Sequence, residues 1–333
     1  MSARDKKSER GAVLLTTLLV MSLMATIAVE MLDDVRFGVR RTANIQAAAQ
    51  ADAYAQAAQD FAKTYLEAQL KTAEPAQLAQ FLKTRPTTVL PFEGGTMTLT
   101  LSDRGSCISL AAVGTSTGRR QFRRLLLALG LDQQTAANLT SALVDWTDED
   151  SQVLPGGAED YVYLAADPPY RTSNTTISSI TELRALAGMD EALYQKLRPF
   201  VCARPAGSAT SVNVNGLLPN QAPVLAAMMG DYALPGARTA LQNTAGVYTA
   251  QTFAASPAMQ GLDLNDADIN ALSYETNLIG IEARIVYQSI QRVVSMEFEI
   301  SNKRAAQISR RYGDENRHVP APVVDRANPE TPR

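Results

Sequence analysis

Apolar and polar positions along this chain change their period twice. A charged stretch, Met1 to Arg10, gives way to residues without charge from Gly11 to Val29, and charge returns at Glu30, Asp33, Asp34 and Arg36. As a helix the Ala12–Val29 run would reach roughly 27 Å, enough to cross a bilayer core. Helical spacing then continues, with Val35, Val39, Ala43, Ala47, Tyr54, Ala58, Phe61 and Tyr65 on or near one slowly drifting face. No proline interrupts Arg36 to Lys71, and Gly38 is only a mild cost. One long helix from about Ala12 to Leu70 is expected, its first half in lipid and its second half amphipathic. Pro75 and Pro86 mark its exit, with a short helix at Ala76–Lys83 between them.

The period next falls to two. Met97, Leu99 and Leu101 alternate with Thr96, Thr98 and Thr100, Asp103-Arg104-Gly105 reads as a turn, and Cys107–Leu110 reads as a returning strand. Alternation reappears only near the end of the chain. Ile279, Ile281, Ala283, Ile285 and Tyr287 form one set, and Ile290, Val294, Met296, Phe298 and Ile300 the next, with Gln288–Ser289 as a hairpin link. Between the two strand regions the sequence is mostly helical. Gln121–Leu129, Gln133–Asp145, Asp190–Phe200 and Gln221–Met229 read as helices, and Ser179 with Glu182 forms a capping box opening a helix at Glu182–Ala187. Asp263, Asn265, Asp266 and Asp268 read as the cap of a helix at Ala267–Leu272 rather than as metal ligands.

The order of parts at the start is informative. A secretory signal peptide carries its small-residue cleavage site after the apolar run. Here the small-residue junction, Arg10-Gly11-Ala12, precedes it. The leader therefore resembles those of type IV pilins and type II secretion pseudopilins, the alternative being an ordinary single-pass anchor. The resemblance implies a prepilin peptidase that cuts between Gly11 and Ala12 and methylates the new terminus. Those families mostly carry Glu at mature position five, where this chain has Thr16. An unpaired carboxylate in hydrocarbon is costly, so a neutral Thr16 suits a subunit that enters a fibre first. Arg4, Lys6, Lys7 and Arg10 precede the span, which predicts that the rest of the chain lies outside the cytoplasm; the resemblance implies the inner membrane, with the C-terminal domain in the periplasm.

The expected fold class is α+β: a pilin-like long helix packed on an antiparallel sheet, with a large all-α domain of SAM or helix-hairpin-helix type inserted. The expected boundaries are 1–11 for the leader, 12–30 for the membrane helix, 31–117 and 269–312 for the pilin-like domain, 118–268 for the insert and 313–333 for a disordered tail.

Within the insert stand Asp145-Trp146-Thr147-Asp148-Glu149-Asp150, Gly157-Ala158-Glu159-Asp160-Tyr161, Pro169-Tyr170-Arg171, Ile180-Thr181-Glu182-Leu183 and Val212-Asn213-Val214-Asn215. In this order behind such a leader, they resemble the K family of type II secretion minor pseudopilins, from Gly11 to about Ser301. That resemblance implies a subunit at the tip of the pseudopilus, assembling with minor pseudopilins I and J. The tip complex primes the major pseudopilin fibre, which helps folded proteins leave through the outer-membrane secretin. It also implies calcium bound in the α-domain. A minor pilin of a type IV pilus or DNA-uptake system is the alternative.

The residues speak to calcium on their own terms. Asp148, Asp150 and Glu159 fall at positions one, three and twelve of an EF-hand-like count, with Gln152 at five, and carboxylate oxygens suit Ca²⁺. Val153 occupies the position where an EF-hand requires Gly, so a different loop around one or two ions is expected. Asp148, Asp150 and Glu159 are the first candidates, and Asp145, Asp160 and Asp167 the second. A solvated acidic loop is the bland alternative. Trp146, the only Trp, is expected in the helical core beside this loop. Cys107 and Cys202 allow one bridge in an oxidising compartment, worth about 4–5 kcal/mol by loop closure, or else two separate buried thiols.

Other functions find little support. The net charge is −3, and from Ser141 to Arg204 ten acidic residues face five basic ones. Ile180–Phe200 resembles a helix-hairpin-helix unit, but Asp190 stands where a second Gly would admit phosphate, so no nucleic-acid partner is expected. His318 is the only His and falls in the tail, and neither a P-loop nor a dinucleotide fingerprint is present, so no enzyme activity is expected.

Overall fold

The computed structural model describes residues 3–72, 75–204, 210–231, 233–242, 247–260 and 266–313. The expected tail, apart from Gly313, lies outside them. The first element is a single helix, α1 (Ala3–Thr72), which carries Gly11 and Ala12 in its opening turns. Its apolar part is the one helical stretch among the described residues long and apolar enough to cross a membrane, and its residues from Val13 to Val29 are exposed. Thr16 donates its hydroxyl to the Val13 carbonyl at 3.0 Å, satisfying itself within the helix.

Farther along α1, Ala51, Ala55, Ala58, Ala62, Leu66 and Leu70 are buried at steps of three and four residues. This stripe corrects the expected face. Val35, Val39 and Phe61 are exposed, and Ala47 and Ala58 are the members that bury fully. The cause is size, because a row of alanines lets the helix lie close on a sheet while aromatics must sit at its flanks. Tyr54 accordingly packs beside Phe92 (centroids 4.2 Å apart), and Tyr65 shares a hydrogen bond with Thr88.

After α2 (Pro75–Lys83) comes a hairpin of β1 (Thr87–Phe92) and β2 (Gly95–Asp103). The sequence reading missed β1, whose Pro91 is tolerable only because the strand is an edge. The sheet is completed by β7 (Leu278–Tyr287), β8 (Ile290–Ser301) and β9 (Arg304–Tyr312), in the antiparallel order β1-β2-β7-β8-β9. Met97, Leu99 and Leu101 join Ile279, Ile281, Ala283 and Ile285 against α1. β9 also escaped the reading, because Arg304, Arg310 and Arg311 break its apolar alternation and the ladder slips between Glu297 and Phe298.

Cys107–Leu110 does not return along β2. Its central pair forms β3 (Ile108–Ser109), which runs parallel to β4 (Val201–Cys202) in a separate two-stranded sheet. This run is buried throughout and belongs to the helical core, so it has no polar face to offer the main sheet. A second short parallel pair joins β5 (Val212–Asn213) to β6 (Leu272–Ser273).

The helical part packs α3 (Ser116–Ala128), α4 (Gln133–Thr147), α5 (Asp160–Tyr163), α6 (Glu191–Leu197), α7 (Ala222–Met229), α8 (Leu234–Gln242), α9 (Ala250–Ala254) and α10 (Asp266–Asn270) around its own core. That core already includes Ile108, Leu110 and Val113, ahead of the expected start at Gly118. The capping box forms, with Glu182 accepting from the Ser179 amide, but it opens a 3₁₀ turn (Ile180–Ala185) instead of an α-helix. The turn ends at Leu186, which is extended, and Gly188 follows with a φ of +81°. Asp268 lies inside α10 and pairs with Arg124 on α3 at 3.4 Å.

The two cores meet at a polar joint. Asp103, at the end of β2, accepts from Ser106 (2.6 Å), Asn213 (2.9 Å) and Thr276 (2.9 Å). Asn215, two residues along, donates to the Tyr248 and Tyr274 carbonyls and accepts from the Tyr248 amide.

Candidate functional site: the acidic loop after α4

Helix α4 delivers the acidic loop. Asp132 caps its start by accepting from the Gln134 and Thr135 amides, and Asp148 is the first extended residue after its end. Trp146 in the last turn is buried and meets Tyr163 edge-on, with ring centroids 5.1 Å apart. Tyr170 completes this aromatic floor and donates its hydroxyl to the Ala185 carbonyl, tying the loop to the hairpin segment.

Of the six candidate ligands, three come together. Asp148, Asp150 and Glu159 each offer a carboxylate oxygen, all within 4.8 Å of one another. Glu159 is 3% exposed, and its Oε1 has no hydrogen-bond partner. The Oδ1 of Asp148 is likewise buried without one. Burial first, and then the charges of Asp145, Asp148 and Asp150, push the Glu159 carboxyl up. Asp148 is raised by burial and by Asp150. Buried carboxylates normally find partners, so a hard divalent cation fits these orphaned oxygens.

Two of the other three candidates do other work. Asp145 is fully buried and accepts from the Leu154 amide at 3.2 Å, pinning the loop back onto α4. Gly157 makes this possible, since a Cβ there would sit 2.0 Å from Asp145 Oδ2. Asp160 is drawn to Thr172 and Arg171 and is held below the usual carboxylate range by the Thr172 hydrogen bonds. Asp167 is exposed and outside the cluster. The backbone N–H of Gln152 donates to Asp150 Oδ1 at 2.7 Å, which shapes the turn.

The acidic loop lies inside a covalent boundary. Cys107 and Cys202 are joined, with Cα atoms 5.9 Å apart, and enclose everything from β3 to β4. Beside the bridge the buried Arg204 donates to the Arg104 and Ser211 carbonyls. Sequence reasoning missed Asp103, Ser106, Thr276 and Arg204, whose roles are long-range and carry no local signal. At the hairpin turn, Asp190 caps α6 by accepting from the Leu193 amide, so a carboxylate stands at the helix start where phosphate would bind.

Comparison with known proteins gives a consistent picture. Residues 106–206 match the family model for the first domain of type II secretion system (T2SS) protein K, a span that nearly coincides with the disulfide-closed segment. The chain is 37% identical over 270 residues to type II secretion system protein K of Klebsiella pneumoniae, covering 77% of this chain and 82% of that protein. The protein K of Pectobacterium carotovorum is 34% identical over 67% of this chain and 71% of its own length. Among solved structures, a chain of the GspK–GspI–GspJ complex from enterotoxigenic Escherichia coli superposes with a TM-score of 0.70 at 26% identity, over 82% of this chain and 99% of that one. The long helix on its antiparallel sheet, the helical domain with its acidic loop and these likenesses agree, and the chain belongs to the protein K family of minor pseudopilins in type II secretion systems.

Proposed function

We propose that this subunit caps the tip of a type II secretion pseudopilus, in a complex with the I and J minor pseudopilins of its own system. The observation that carries this reading is the likeness, over 82% of the chain, to a member of a GspK–GspI–GspJ complex. The shape supports it. A helical domain with its own core stands on the small sheet, and such bulk obstructs addition of another subunit above it. Self-satisfied Thr16 suits a first subunit, which needs no predecessor to neutralise a charge in the membrane. Placed first, the tip complex primes the major pseudopilin fibre and so helps folded proteins leave through the secretin. The apolar part of α1 anchors the subunit in the inner membrane, with the folded domains in the periplasm, and prepilin peptidase cuts between Gly11 and Ala12. The test is assembly of this chain with its cognate I and J subunits, described at the end of the Discussion.

Within the α-domain, Asp148, Asp150 and Glu159 are the residues to hold calcium. A bound ion supplies positive charge that neutralises mutual repulsion in the loop. The chain's own part is to present three carboxylates from both ends of the loop, so that filling the site fastens residue 159 to the end of α4. Asp145 supports this from behind by fixing the backbone at Leu154.

A further inference from the structure

Asp148 belongs to two places at once. It stands in the carboxylate triad, and it also walls a cavity of about 150 Å³ bounded by Leu110, Gly114, Val144, Thr176 and Arg119. Arg119 lies in the first turn of α3, is half-buried, and forms no side-chain hydrogen bond or ion pair among the described residues. Its charge favours ionised Asp148, whereas burial and Asp150 oppose it.

We propose that Arg119 is a built-in counter-charge for the triad: across the cavity it steadies the ion-free loop by attracting Asp148, and it weakens divalent-cation binding there by repulsion. This rests on the cation reading of the triad given above. The physics sets the signs. A fixed positive charge lowers the repulsion among three carboxylates when they stand alone, and it opposes a dication brought to the same place. Screening by salt is incomplete at this range for partly buried groups. Removing the charge should therefore loosen the empty loop and tighten the filled one, whereas loss of a packing residue would weaken both.

The test uses the full chain in detergent, with calcium titration followed by calorimetry and thermal unfolding in chelator. Arg119→Met is expected to tighten the calcium Kd about three- to tenfold and to lower the melting temperature in chelator. Arg119→Lys, which keeps the charge, should stay near wild type in both. In an Asp148→Asn background the Arg119→Met loss in chelator should shrink toward zero. If Arg119→Met does not fold, Arg119→Gln takes its place. An unchanged or weaker calcium Kd in the folded variant overturns the proposal, and so does a chelator loss that persists in Asp148→Asn. Absence of calcium binding by the wild type would instead remove the cation reading and the repulsion with it. The double-substitution cycle in chelator would still decide whether Arg119 and Asp148 attract.

Discussion

Asn213 donates its side-chain amide to Oδ2 of Asp103 at 2.9 Å, linking residues 110 positions apart in the sequence. The same amide reaches Thr276 at 3.1 Å, and the Asn213 carbonyl accepts from Ser106. One fully buried side chain thus connects the end of β2, the helical domain and the segment leading into β7. Asn213→Ala is expected to destabilise the protein by about 2–3 kcal/mol, because it leaves the half-buried Asp103 carboxylate short of a donor and removes two hydrogen bonds from the joint. Urea unfolding measures this, and a change below about 0.5 kcal/mol would deny the joint its role.

Asp103 itself gives a pH signature. Burial raises its carboxyl above the ordinary value, against the hydrogen bonds from Ser106, Asn213 and Thr276 that lower it. A carboxyl raised on folding favours the protonated native state. Its contribution is fullest below the unfolded value of about 4 and is lost as pH rises through the folded value. Wild-type stability minus that of Asp103→Asn should therefore fall as pH increases above about 4. Unfolding curves for both proteins in chelator across that range test the sign, since other groups cancel in the difference.

Calcium should raise the melting temperature of the wild type. At a free concentration one hundred times Kd the gain is about 2.7 kcal/mol, which corresponds to several degrees for domains of this size. Asp150→Asn combined with Glu159→Gln should abolish the shift. Melting curves that coincide in chelator and in millimolar calcium would remove the ion from this site.

Leader processing reads Gly11 directly. Gly11→Val should leave the precursor uncut when it is expressed with the prepilin peptidase. Appearance of a mature-sized product on immunoblots would place the cut elsewhere.

Periodicity made the long helix, the β7–β8 hairpin and most of the helices legible, since each has a regular polar–apolar repeat. It placed the buried face of α1 wrongly because alanines carry little hydrophobic signal, yet it is their small size that lets the sheet approach. β1 and β9 were hidden for a related reason. Edge strands need only one buried row, and Pro91 and the arginines of β9 mask it. At the site, the spacing of Asp148, Asp150 and Glu159 was readable because one short loop carries all three. The roles of Asp145 and Asp160 were not, since they depend on the amides of Leu154 and Thr172 and on the close approach that Gly157 allows. The Asp103–Asn213 joint is a long-range pairing with no local pattern.

The tip assignment is tested most directly by purifying this chain together with its cognate I and J subunits and determining the composition of the product by size exclusion with multi-angle light scattering. A stable complex with one copy of each is the expected result. Separate elution of this chain at concentrations where I and J associate with each other would contradict the account.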